Sequence, residues 1–145
     1  MRLIVGSDHG GLALKNIVRD HLADLGHDVT DVGTHTDEST DYPDFGRLVA
    51  EMVARDEADL GIVVCGTGIG IGIAANKVKG IRAALCTNCF MARMARQHND
   101  ANVLCLGGRV LGDALALEIV DTFLRHDFEG GRHARRVKKI EEIES

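Results

Sequence analysis

The chain contains no tryptophan, one tyrosine and four phenylalanines, so aromatic residues make up 3% of its 145 residues. A surface that holds nucleic acid by base stacking needs more platforms than this. Positive charge is also scarce. Lysine and arginine total 17 against 22 aspartates and glutamates, and the net charge of -5 opposes binding to a phosphate backbone. Nucleic acid is therefore not an expected partner. No apolar run approaches the roughly 20 residues of a membrane-spanning helix. The opening residues Met1-Arg2-Leu3-Ile4-Val5-Gly6-Ser7-Asp8 meet an acid before the apolar core of a targeting peptide can form. A cytoplasmic protein without membrane contact is expected. Cysteine is limited to Cys65, Cys86, Cys89 and Cys105. Cys86 and Cys89 have C-x-x-C spacing, but no second pair completes a four-ligand zinc site, and packed, reduced thiols are the expected state.

Hydrophobic residues form 45% of the chain and charged residues 27%, the balance of an ordinary globule. At this length one domain over residues 1–145 is expected, large enough to bury its own core. Short runs rich in Val and Ile alternate with longer amphipathic stretches, which predicts repeated βα units around a parallel sheet. Five strands are expected, at residues 2–6, 27–32, 60–65, 82–86 and 103–106. The first helix carries Leu14, Ile17, Val18, Leu22 and Leu25 on one face and stops at Gly26. Further helices are expected after Pro43 to about Arg55, within a glycine-rich loop, over 88–97, over 113–124, and at 135–143. The predicted architecture is one doubly wound α/β domain of Rossmann or flavodoxin-like type, with helices on both faces of a five-stranded parallel sheet and a C-terminal helix. Right-handed crossovers then put every strand-to-helix loop on one edge, where such folds bind ligands.

Those loops hold the chemistry. After the first strand, Ser7-Asp8-His9-Gly10-Gly11 supplies a carboxylate and an imidazole suited to acid-base or ligand-orienting work; helix capping by Asp8 and a solvated His9 are the plainer alternative. After the third strand, Cys65-Gly66-Thr67-Gly68-Ile69-Gly70-Ile71-Gly72 lets the backbone approach a ligand and turns N–H groups and a helix N-terminus toward it. The spacing fits neither the dinucleotide nor the P-loop fingerprint. Cys65 is expected at the mouth of this anion-binding nest, where a helix N-terminus favours thiolate; an inert packed cysteine is the alternative. Arg96-Gln97-His98-Asn99-Asp100 is a polar cluster before an apolar strand, Arg109 follows the fifth strand, and Gly130-Gly131 precedes Arg132 and Arg136, four apart. On a helix, Arg132 and Arg136 share one face and can fork onto phosphate oxygens.

Taken in order, Ser7-Asp8-His9-Gly10-Gly11, Asp41-Tyr42-Pro43, Cys65-Gly66-Thr67-Gly68-Ile69-Gly70, Ala74-Ala75-Asn76-Lys77, Arg96-Gln97-His98-Asn99-Asp100 and Gly130-Gly131-Arg132-His133 resemble the type B ribose-5-phosphate isomerases over nearly the whole chain. The same superfamily includes galactose-6-phosphate and allose-6-phosphate isomerases, so the resemblance specifies the reaction more sharply than the sugar. It implies a thiolate at Cys65 that moves a proton between C2 and C1 through an enediolate. It implies an anion hole from the amides of Gly66, Gly68, Ile69 and Gly70, assisted by Thr67, and ring opening by His98. Asp8 and His9 then orient substrate, Tyr42 lines the pocket, Asn99 contacts the sugar, and Arg109, Arg132 and Arg136 hold phosphate. No metal and no organic cofactor are implied, and a site shared between two subunits implies a homodimer or tetramer. The sequence departs from the resemblance at Gly72, where serine is frequent, and Cys65 argues against the glutamate-type branch.

Two other readings use the same residues. Cys65 and His98 with an anion hole are also equipment for a thiol hydrolase or transferase, which leaves the arginines without a task. A non-catalytic module that binds a phosphorylated ligand leaves Cys65 and His98 unexplained.

Overall fold

Apolar runs without alternation belong in the middle of a parallel sheet, and the strands that have them lie there. The computed structural model describes residues 1–144. Its elements are β1 (Arg2–Ser7), α1 (Leu12–Asp24), β2 (Asp28–Asp31), α2 (Tyr42–Ala54), β3 (Leu60–Cys65), α3 (Ile69–Asn76), β4 (Ala83–Leu85), α4 (Cys89–Asn99), β5 (Val103–Gly107), α5 (Asp113–Arg125) and α6 (Arg132–Glu142). The strands form one parallel sheet in the order β2-β1-β3-β5-β4. Every residue of β3 and β5 is buried, whereas β2 and β4 are short and half-exposed and take the two edges. A flavodoxin order would seat the fourth strand beside the third. Here β5 occupies that place, because five fully apolar positions gain more from two covered faces than the three of β4.

Alternation along the strands divides the core in two. Leu3, Val5, Ile62, Val64, Leu104 and Leu106 face α1, α4 and α5, packing with Val18, Leu22, Ala92, Ile119 and Phe123. Ile4, Val63, Cys65, Val103 and Cys105 face α2 and α3, packing with Val49, Ala50, Ile71 and Ala75. Each fully buried aliphatic side chain of this kind contributes about 1.5–3 kcal/mol of burial.

Element ends differ from the sequence reading in instructive ways. A 3-10 turn, His9–Gly11, precedes α1 because Asp8 accepts the Gly11 N–H at 3.0 Å. Helix α2 starts at Tyr42, with Pro43 inside its first turn rather than before it. Asn88 caps α4, which extends through His98 and Asn99 and stops at Asp100 in the left-handed region. Helix α6 starts at Arg132, three residues before the expected Arg135, since Gly130 and Gly131 at positive φ turn the chain sharply into it.

Topology then places the ligands' side of the molecule. From β1 the chain moves outward to β2, and from β3 it moves the opposite way to β4, so the crevice between the carboxyl ends of β1 and β3 is a switch point. Helix α4 runs back against the strands, which carries His98 and Asn99 to the amino edge just before β5. Helix α6 packs against α4 there. Among the described residues, no helix is long and apolar enough to cross a membrane.

Candidate active site

Cys65 ends β3 at the switch point, but it does not stand open at a loop mouth. It is buried at 4% exposure on the α2–α3 side of the sheet, and its Sγ accepts the Gly68 N–H at 3.1 Å. The N–H of Ile69 donates to Thr67 Oγ1 at 3.2 Å, at the surface. Two amides of the glycine loop are therefore spent on holding the loop's own side chains. Thr67 itself is exposed and, acting here as acceptor, keeps its hydroxyl proton for donation. Gly68 permits this shape: its φ is +81°, and a Cβ there would meet Leu85 at 2.7 Å.

The other carboxyl-edge loops close around the same point. Gly108 N–H donates to Cys65 O at 2.8 Å and Arg109 N–H to Gly66 O at 2.9 Å, which ties the loop after β5 to the one after β3. The Arg109 guanidinium consequently lies across the backbone of Gly66 and Gly10. A Cβ placed on Gly10 would be 3.3 Å from Gly66 N and 3.4 Å from both Arg109 Nη2 and Asp8 Oδ1. Asp8 is thus buried between its cap to Gly11 and the arginine-bearing loop. Tyr42, the first residue of α2, rests its ring on Gly70, where a Cβ would lie 2.6 Å from the ring. His9 is half-buried and linked to Thr40 twice: its N–H donates to Thr40 Oγ1 at 3.2 Å, and its Nδ1 accepts the Thr40 N–H at 3.1 Å. Thr40 carried no sequence signal, because its partner lies 31 residues away.

His98, Asn99, Arg132 and Arg136 are not part of this group. They sit at the amino edge, and a strand of six residues separates the two edges by about 20 Å. The second group has its own order. The rings of His98 and His133 stack with centroids 4.1 Å apart, and His98 Nε2 lies 3.7 Å from Glu129 Oε1. Arg82 Nε donates to the carbonyls of Asn99 and Asp100, and Arg96 donates to that of Ala101, so the turn after α4 is pinned on both sides. Burial, His98 and Arg132 together hold the His133 imidazole below its ordinary range. His133 fell within the Gly130-Gly131-Arg132-His133 motif, whereas Glu129 and Arg82 gave no signal in the sequence.

The donor atoms of His98, Glu129 and His133 lie within 4.8 Å of one another. Ligation requires a metal in the plane of each imidazole, however, and these two rings lie face to face with Arg132 and Arg136 on the same helix. The arrangement suits an anion better than a cation. The remaining cysteines are packing groups. Burial pushes the Cys86 thiol up to about 12 and raises that of Cys105 as well. Cys105 also crowds Gly72, where a Cβ would lie 3.0 Å from its Sγ.

A buried thiol with an amide donor, a neighbouring carboxylate–imidazole pair and a guanidinium across the opening can stabilise an oxyanion and move a proton on a small anionic substrate. Known proteins agree on the class. A family model described as Ribose/Galactose Isomerase matches residues 3–140. Ribose-5-phosphate isomerase B of Escherichia coli (strain K12) is 50% identical over 143 residues, covering 99% of this chain and 96% of that protein. The structure of ribose-5-phosphate isomerase B from Clostridium thermocellum matches with a TM-score of 0.99 at 63% identity, covering 99% of this chain and 97% of that one. A crystal structure of the Mycoplasma genitalium ribose-5-phosphate isomerase B with bound ribulose-5-phosphate matches with a TM-score of 0.95 at 49% identity, covering 98% and 95%. The chain belongs to the ribose/galactose isomerase family.

Proposed function

We propose that this chain is a cytoplasmic aldose-ketose isomerase that interconverts ribose 5-phosphate and ribulose 5-phosphate, acting as a single catalytic domain in an assembly of at least two copies. The observation that carries the reading is the Cys65 sulfur at the β1/β3 switch point, held by the Gly68 amide, with Arg109 across the next residue, Gly66, and Arg109 and Asp8 beside Gly10 in the adjoining loop.

Cys65 as thiolate removes the proton from C2 of the open-chain sugar, which leaves the negative charge on O1 of an enediolate. The O2 hydroxyl proton passes to O1, and the same sulfur returns its proton to C1 as O2 becomes the ketone oxygen, so no atom is gained or lost and the thiolate is restored. One base serves both carbons because they are adjacent. The enediolate charge meets the loop amides other than those of Gly68 and Ile69, which hold Cys65 and Thr67, and the free hydroxyl proton of Thr67. Asp8 and His9 orient the sugar hydroxyls, Tyr42 walls the pocket, and Arg109 faces the phosphate end.

Ring opening and the rest of the phosphate grip come from a second copy. His98, Asn99, Arg132 and Arg136 lie a strand's length from Cys65, too far for side-chain motion to join them within one chain. The β4 edge supports the assembly. Ile69, Ile73, Phe90 and Met91 are exposed along it, and a groove of about 270 Å³ runs from Leu85 past Phe90 and Met94 to Asn99. Two copies paired about this edge carry the amino-edge group of one toward the carboxyl-edge loops of the other.

Turnover of ribose 5-phosphate by purified protein in chelator, with and without prior iodoacetamide, tests the reading beside allose 6-phosphate and galactose 6-phosphate. Chelator-resistant, alkylation-sensitive conversion of ribose 5-phosphate is the expected result. Activity on a six-carbon sugar alone would replace the substrate, and silence on all three would remove the isomerase.

A further inference from the structure

Lys15 is fully buried, the largest side chain in the molecule to be so, and the proposed reaction gives it no task. Its ammonium donates to both carboxylate oxygens of Asp31 at 2.9 Å and to the Thr34 carbonyl at 2.6 Å, which uses all three of its hydrogens. Burial alone works to raise the Asp31 carboxyl, but Lys15, the Gly33 N–H and Arg19 outweigh it and hold that carboxyl below its ordinary value. Asp31 thus stays ionised beside the buried Lys15, an arrangement that costs desolvation and is kept by hydrogen bonds to both carboxylate oxygens.

What this pair secures is the start of the segment after β2. Gly33 and Thr34 are also bonded to Ser7 from both sides: Ser7 N–H donates to Gly33 O and Thr34 N–H to Ser7 O, each at 2.7 Å. Residues 35–39 are exposed, and the segment comes back to the sheet at Thr40, where it clasps His9. An amide nitrogen can only donate, so His9 Nδ1 must be the unprotonated nitrogen, and in the neutral ring the proton lies on Nε2. The segment therefore reads as a strap fixed under Lys15 at one end and fastened to the imidazole at the other.

We propose that Lys15 and Thr40 are positioning residues for the isomerase: Lys15 anchors the 33–41 strap and Thr40 fixes His9 in the tautomer and orientation that present Nε2–H to the sugar phosphate. This rests on the reading that His9 faces substrate. Its contribution is pre-organisation. A ring already turned to its partner loses less freedom when substrate binds, and a displacement of about 1 Å is enough to cost one to two orders of magnitude in rate.

The test uses the full-length protein and four variants: Thr40→Pro, which removes the main-chain N–H that faces His9 Nδ1, Thr40→Ser, Lys15→Met, and His9→Gln to assign the His9 signal. Nitrogen-15 NMR of the histidine side chains reads the tautomer without reference to activity, and kcat/KM is measured on ribose 5-phosphate. In the parent protein His9 shows a single Nε2–H tautomer. Thr40→Pro loses kcat/KM by about ten-fold and shows mixed tautomers, while Thr40→Ser, which keeps both the main-chain N–H and the hydroxyl, stays within about two-fold. Lys15→Met follows Thr40→Pro where it folds; where it does not, the Thr40 pair decides. Retention of one Nε2–H tautomer in Thr40→Pro, or a kcat/KM within two-fold of the parent protein, overturns the proposal. Should the parent protein fail to turn over ribose 5-phosphate, the proposed function falls, and the tautomer measurement still judges the strap.

Discussion

The imidazoles of His98 and His133 lie 4.1 Å apart with their planes 11° from parallel, one ring on α4 and the other on α6. Adding a proton to His133 puts positive charge on a buried ring, against a second imidazole and beside Arg132. Its folded value is therefore below the unfolded value of roughly 6.5. The unfolded chain binds that proton more readily, so the contribution to stability is present above about pH 6.5 and is lost as pH falls through the folded value. Melting temperature measured between pH 7.5 and 5.5 checks this. The parent protein should lose stability more steeply than His133→Phe, which stacks without titrating, and equal slopes would dissociate His133 from the effect.

Separation of the two polar groups by the sheet predicts complementation. Cys65→Ala and His98→Ala should each be nearly inactive alone, because every site lacks one member. Exchanged in equal amounts, they should recover roughly a quarter of the activity, since half of the dimers are mixed and each mixed dimer has one intact site. No recovery after verified subunit exchange would place His98 and Cys65 in the same copy's chemistry or in none.

The ring of Tyr42 fills the space in which a side chain at position 70 would stand. Gly70→Ala should push the ring off the loop, raise KM for the phosphorylated sugar several-fold, and destabilise the fold by about 1–3 kcal/mol through overpacking. Denaturant unfolding and steady-state kinetics on one preparation separate the two effects. An unaltered KM would remove Tyr42 from the pocket wall.

The interior strands were legible because continuous apolar runs leave few alternatives to a buried parallel strand. Their order was less so. Whether β4 or β5 lies beside β3 depends on how much apolar face each can cover, a comparison between segments rather than a pattern within one. Loop residues such as Asp8, His9 and Thr67 stood out by following apolar runs. Cys65 looked like the end of an open loop, and only the sheet shows it turned into the α2–α3 core. Thr40, Glu129 and Arg82 act through partners distant in sequence and have no local pattern to reveal them. His98 and Cys65 looked equally close to a single site, because a sequence records which loops exist and not which end of the sheet each one reaches.

On the proposed pairing, a thiol at the carboxyl edge and an imidazole at the amino edge make turnover a property of encounter. A lone copy then carries both groups but does not bring them to one site. On dilution below the dissociation constant of the pair, the rate should fall with the square of chain concentration while each chain stays folded, so abundance itself sets how much of the protein is an enzyme at all.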